Sequence, residues 1–277
     1  MYVKHYALAG EGKPQTMGFE PASALKNAVW MDSAVVPGCM FAQGSWLMAD
    51  CARPGLIRHA SDALLMFCGS EWETREELHA EIELQIENDV LRLRETCFVY
   101  IPAGVAYGNL RVKGLTRPVL YYCTHKTASD YVEEPAVPTA PAGTYANYHV
   151  EKYLRDDGVV PEAPEGFLDF LLWIDGQKLP GAPYMETVWF KTKNDTGPAG
   201  HTHGFDEIVG FIGSDPAHPE DLGATIQFVL DDRIITTNKS TLFCVPRGVC
   251  HAPIIVPELH RSLVHFSVSN ADTYVRA

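Results

Sequence analysis

Hydrophobic residues recur along this chain with the two-residue period of β-strands. Glu81-Ile82-Glu83-Leu84-Gln85-Ile86 alternates polar and apolar side chains, the pattern of a strand with one buried face. Glu87-Asn88-Asp89 has turn chemistry, and Val90-Leu91-Arg92-Leu93 returns as a second strand. Ala224–Leu230, the Asp231-Asp232 turn and Arg233–Thr236 repeat the arrangement. Val119–Tyr122 and Ser262–Val268 read as closing strands. Many short strands between turn signals predict an all-β sandwich or barrel. Helix is expected only at Ala22–Ala28 and Tyr148–Asp156.

The pattern occurs twice. Asp62–Ser70 aligns with Asp206–Ser214 at an offset of 144 (206 − 62), and the frame runs without a gap to Pro102/Pro246, Gly104/Gly248 and Val105/Val249. Upstream the offset becomes 143 (173 − 30), through Trp30/Trp173, Asp32/Asp175, Pro37/Pro180 and Trp46/Trp189. The two halves are therefore two copies of one fold. Glu133–Gly143 is rich in proline and alanine and cannot form an interior strand or helix. The expected organisation is an N-terminal domain over 1–132, an extended linker over 133–146 and a C-terminal domain over 147–277. Pro161–Gly166 is a further loop, and Asp215–Pro219 a surface turn with a solvated His218.

The chain has 277 residues and a formal net charge of −13. That sign argues against nucleic acid or an anionic membrane as a partner. There is no apolar run long enough to cross a membrane and no signal-peptide core after Met1. Seven cysteines lack Cys-x-x-Cys spacing. They read as buried, reduced thiols of a cytoplasmic protein, with Cys250 turned away from its neighbour His251.

The chemistry concentrates in Gly200-His201-Thr202-His203-Gly204-Phe205-Asp206-Glu207. In an extended chain His201 and His203 face one point, and a bend at Gly204 lets Glu207 swing back toward it. Pro246-Arg247-Gly248-Val249-Cys250-His251 offers a fourth donor on a turn-to-strand junction. Three imidazoles and one carboxylate suit one divalent transition metal: Fe, Mn, Ni, Co or Zn.

These two stretches resemble the paired motifs of the cupin superfamily, His-x-His-x3-Glu and Pro-x-Gly-x-x-His. Asp195 and Ile255 stand where the family often has glycine and asparagine; neither position is a ligand. The resemblance implies two tandem jelly-roll β-barrels, a bicupin, with His201, His203, Glu207 and His251 as metal ligands. It also implies a small-molecule substrate and a homo-oligomer, a dimer. In the N-terminal copy the matching positions hold Ile57, His59, Ala63 and Tyr107. One imidazole does not hold a divalent metal against water, so this half is expected to be structural, with His59 a hydrogen-bonded barrel histidine.

Around the intact site, Phe205, Trp189 and Phe243 are candidates for an aromatic wall, with ordinary core packing the favoured role of each taken alone. The last strand alternates Leu263, His265 and Ser267 with Val264, Phe266 and Val268. If the polar face lines the cavity, His265 is an acid–base group, and Glu207 itself can leave the metal and act as base. Three function classes remain in play. With Fe or Mn, dioxygenation is slightly favoured, since similar cupins include ring-cleaving dioxygenases. With a redox-silent metal, isomerisation, elimination or decarboxylation follows. A saturated metal site without a cavity would instead mean a binding or structural protein.

Overall fold

The structure, a computed structural model, describes residues 4–154 and 164–275. In chain order the strands are β1 (Tyr6–Leu8), β2 (Leu25–Met31), β3 (Ala42–Leu47), β4 (Cys51–Arg58), β5 (Ala63–Gly69), β6 (Glu77–Ile86), β7 (Asp89–Glu95), β8 (Cys97–Ile101), β9 (Tyr107–Lys113) and β10 (Val119–His125). They continue as β11 (Glu134–Pro135), β12 (His149–Val150), β13 (Leu168–Ile174), β14 (Met185–Phe190), β15 (Glu207–Gly213), β16 (Asp221–Leu230), β17 (Arg233–Lys239), β18 (Thr241–Val245), β19 (His251–Leu259) and β20 (Leu263–Ser269). Among the described residues there is no α-helix, and so none long and apolar enough to cross a membrane.

Each half pairs a six-stranded sheet with a smaller one. The N-terminal half stacks β12-β8-β5-β10-β3-β2 on β11-β4-β9-β6-β7. The C-terminal half stacks β1-β18-β15-β20-β14-β13 on β17-β16-β19. Every pairing is antiparallel. The result is an all-β pair of tandem jelly-roll barrels, each with its own apolar filling.

A third core lies between the barrels, where the six-stranded sheets meet. Leu64, Met66, Trp46 and Tyr122 from one side pack with Ile208, Ile212, Val264 and Phe266 from the other. Strands β5, β10, β15 and β20 are consequently buried over their whole length. This explains why β5 and β15 read as near-continuous apolar runs rather than alternating ones. Two glycines make the approach possible. A Cβ on Gly210 would lie 2.2 Å from the Phe266 ring, and one on Gly44 would lie 2.4 Å from Ile212 Cδ1.

The halves also exchange strands. β1 pairs with β18 of the C-terminal barrel, and β12, which precedes that barrel, pairs with β8 of the N-terminal one. Sheet pairing therefore crosses the boundaries drawn from sequence, and each exchanged strand covers an edge that would otherwise be open. The linker is strapped down, not free. Asp89 accepts backbone N–H bonds from Gly143 at 2.6 Å and Tyr145 at 2.7 Å, and Glu87 accepts from Thr139 and Ala140.

Both expected helices are corrected. Ala22–Ala24 form a single 3-10 turn, and Leu25 onward is β2, paired with β3. Residues 149–150 form β12, with 155–156 outside the described residues. At Ala22–Ala28 sheet pairing outweighs alanine's local helix preference, and at His149–Val150 it outweighs the local preference of the stretch as a whole. The Pro161–Gly166 loop is described only from Pro164.

Gly210→Ala should overpack the interface against Phe266 and destabilise the protein by about 1–3 kcal/mol. Chemical denaturation would show a lower midpoint, whereas an unchanged midpoint would mean that the sheets can part without cost.

Candidate metal centre

The two motifs are joined by one turn. Val249 N–H bonds to Pro246 C=O at 3.1 Å, and Gly248 sits between them at φ +77°, a backbone region that favours glycine. The Gly248 N–H in turn bonds to His203 C=O at 2.8 Å. Asp206 ties in the remaining segments, accepting from Arg247 N–H at 2.9 Å and from Asn270 Nδ2 at 2.9 Å. His201 and His251 exchange both backbone hydrogen bonds, at 3.1 and 3.0 Å. The fold thus brings residues about fifty apart in sequence (251 − 201) onto one spot.

The three imidazoles converge. One ring nitrogen from each of His201, His203 and His251 lies within 4.8 Å of the others. Each Nδ1 faces a backbone carbonyl: Ala199 at 2.8 Å, Val275 at 2.9 Å and Val249 at 3.1 Å, respectively. A carbonyl only accepts, so each Nδ1 carries the proton and each Nε2 presents a lone pair. Glu207 opens β15, and its Oε2 lies 3.1 Å from Nε2 of His251 and 3.7 Å from Nε2 of His203. The carboxylate is 2% exposed, and its Oε2 has no hydrogen-bond partner.

A buried carboxylate oxygen facing imidazole lone pairs is unfavourable in itself, because burial without compensation costs several kcal/mol. A divalent cation held by all four donors would resolve it. The residues present therefore fit the metal that the sequence motifs imply.

A cavity of about 80 Å³ adjoins the cluster. His201, Glu207 and His251 line it on one side, and Phe167, Phe170, Phe190, Phe228 and Ile254 form its apolar walls. His265 lines it too. Its Nδ1–H donates to Gly210 C=O at 2.9 Å, and its ring stacks on Phe211 at 4.6 Å. Burial holds its pKa down at about 4, against the opposing effects of the Gly210 bond and the Glu207 charge. The ring is neutral at neutral pH.

Of the three aromatic candidates, two pack in the cores. Phe205 does stack on His203, at 4.6 Å. Trp189 instead points into the inter-barrel core and Phe243 into the barrel interior. Parity explains Trp189: Glu186, Val188 and Phe190 share the cavity face of β14 and Trp189 lies on the other. The alternation of Glu186-Thr187-Val188-Trp189-Phe190 held the signal for Phe190 and Glu186. Tyr274, also at the cavity, lies beyond the last strand, where no period operates. His218 is exposed and bonded to Asp215, and Cys250 is exposed.

In the N-terminal half His59 is held at both nitrogens, by Val132 C=O at 2.5 Å and the Tyr107 hydroxyl at 2.8 Å. Ile57, Ala63 and Tyr107 are part of that barrel's apolar filling.

No family model matches the chain, and no curated protein is detectably similar to it in sequence. Solved structures resemble it in fold. AerE from Microcystis aeruginosa superposes with a TM-score of 0.55 at 11% identity, over 96% of this chain and 98% of its own. An oxalate decarboxylase structure superposes with a TM-score of 0.62 at 10% identity, over 100% and 80%. An oxalate decarboxylase variant from Bacillus subtilis gives 0.57 at 11%, over 96% and 80%. At these identities the likeness establishes the fold alone: an all-β chain of tandem jelly-roll barrels.

Proposed function

We propose that this chain is a metal-dependent bicupin enzyme. It holds one divalent transition-metal ion through His201, His203, Glu207 and His251, and acts on a small oxygen-bearing molecule in the adjoining cavity. The observation that carries this reading is the buried cluster of lone pairs opening onto a mostly apolar cavity. A structural metal site would have no such space beside it.

A divalent metal bound there supplies stabilisation of negative charge on a substrate oxygen. The chain's own groups do the rest. His265, neutral and with Nδ1–H committed to Gly210, offers Nε2 as a proton acceptor. Tyr184 donates to Glu186 Oε2 at 2.7 Å; burial first, then the Glu186 charge, raises its pKa well above the usual range, so it stays a proton donor. Glu186 is thereby fixed at the cavity wall. The phenylalanines exclude water and accept a flat or apolar body.

Acid–base groups around a charge-stabilising centre support isomerisation, elimination or decarboxylation. The oxalate decarboxylases of the same fold catalyse a reaction of this class, which supports the reading. The apolar walls favour a second one, dioxygenation of a flat substrate, which requires a redox-active metal.

Protein purified without chelators should contain close to one metal ion per chain. His203→Ala should lose most of it, while His59→Gln should keep it. A stoichiometry near two would sink the assignment.

Catechols, hydroxy acids and enediols should be offered to the Fe and Mn forms under air and under nitrogen. Turnover without O2 supports the acid–base reading, and O2 consumption supports dioxygenation. In either case His265→Gln should keep its metal and lose about 10²–10⁴-fold in turnover if His265 transfers a proton. The same loss in metal-reconstituted Glu207→Gln would show that Glu207 also acts as a base.

The neutral state of His265 is also measurable without substrate. Its folded pKa of about 4 lies below the unfolded value of about 6.5. Between these values the unfolded chain binds a proton that the folded chain refuses. The contribution to stability is whole above about pH 6.5 and is lost as the pH falls toward 4, amounting to about 2 kcal/mol at pH 5. Urea unfolding of the metal-free protein at about pH 7 and 5 should show this loss, and His265→Gln should reduce it. An equal loss in the variant would place the acid sensitivity elsewhere.

A further inference from the structure

The repeat extends past the last long strand of each half. Tyr131-Val132 and Tyr274-Val275 occupy equivalent places, at an offset of 143 (274 − 131) that also relates β1 to β12 (149 − 6). In each half the dipeptide closes over the second histidine of the motif. In the N-terminal half the Tyr131 ring lies 5.1 Å from His59, whose Nδ1–H donates to Val132 C=O. In the C-terminal half the Tyr274 ring lies 4.8 Å from His203, whose Nδ1–H donates to Val275 C=O. The arrangement persists where the other three donor positions hold Ile57, Ala63 and Tyr107. It therefore belongs to the barrel and does not depend on a metal being bound.

The tyrosine hydroxyls differ. Tyr131 donates to Glu133 Oε2 at 2.7 Å and accepts from Arg53 Nη2 at 3.2 Å, inside the degenerate site. Tyr274 instead approaches Nε2 of His201 at 3.4 Å. The Nδ1–H of His201 is committed to Ala199, so Nε2 is the acceptor and the phenol the donor. The segment carrying Tyr274 is itself anchored. Gly176 N–H bonds to Asp272 C=O and Tyr184 N–H to Ala271 C=O, both at 2.8 Å, and the rings of Tyr184 and Tyr274 lie 4.7 Å apart.

We propose that Tyr274 and Val275 form a clasp that sets the metal-binding orientation of His203 and His201 before any ion arrives, making 272–275 a positioning segment of the C-terminal site. This rests on the metal reading of that site. Two restraints act on His203. The Val275 carbonyl fixes which nitrogen carries the proton, and the Phe205 ring stacked on one face, with the Tyr274 ring tilted against the imidazole beside it, hinders the imidazole from turning. A ligand held this way need not be ordered on binding, and partners of this kind are typically worth 10–100-fold in metal affinity.

The test is metal affinity in the full chain, measured by competition with a chromophoric chelator, together with the absorption spectrum of the Co(II) form. Tyr274 is only half-buried and lies outside the barrel cores, so its substitution leaves those cores intact. Tyr274→Ala should bind metal about tenfold or more weakly and shift the Co(II) bands, with little change in the thermal midpoint of the metal-free protein. Tyr274→Phe retains the ring and should retain most of the affinity. Tyr131→Ala, the same change in the other half, should leave affinity and spectrum alone. Wild-type affinity and spectrum in Tyr274→Ala, or equal weakening in Tyr131→Ala, would overturn the clasp. Absence of metal binding by the wild-type chain would overturn the metal reading itself.

Discussion

Strands β15 and β20 are buried on both faces, and the candidate site depends on that constraint. Ile208, Ile212, Val264 and Phe266 face the N-terminal barrel, while Glu207, Val209, His265 and Ser267 face the cavity. A side chain on one face cannot move without its strand, and the strand is held from behind by another sheet. The N-terminal barrel thus acts as a wall that fixes the depth of Glu207 and His265. The glycines at 44 and 210 let that wall approach closely, and Phe266, lying over Gly210, reaches Tyr122 of the other half at 4.5 Å between ring centroids.

Electrostatics then defines what the fixed groups can do. Backbone carbonyls orient the imidazoles at His201, His203 and His251, so the three Nε2 lone pairs do not depend on chance rotamers. The carboxylate of Glu207 adds negative charge in a place with almost no water. A neutral His265 nearby is the natural consequence of the same burial: the environment that favours a cation among four donors disfavours a proton on an imidazole without such partners.

The two halves show how one framework supports different interiors. The turn that brings Gly248 N–H to His203 C=O recurs as Gly104 N–H to His59 C=O, again at 2.8 Å. The framework of the site is therefore present in both barrels. In the N-terminal one, Tyr107 fills the place of an imidazole and donates its hydroxyl to Nε2 of His59, and Arg53 brings a permanent cation to Tyr131 and Glu133.

By itself the sequence determined the all-β class, the duplication and the residues that converge. Those properties rest on short-range periods and on residue chemistry: alternation marks strands, and His-x-His followed by a glutamate can face one point whatever surrounds it. Only the tertiary structure decided that Trp189 lies between barrels, that Ala22–Ala28 makes one 3-10 turn and then a strand, that β1 and β12 change partners, and that Tyr274 closes over His203. Each of these depends on which sheet lies behind a strand or beyond its end. That is a contact between residues distant in the chain, and local alternation, which assigns faces but not neighbours, carries no information about it.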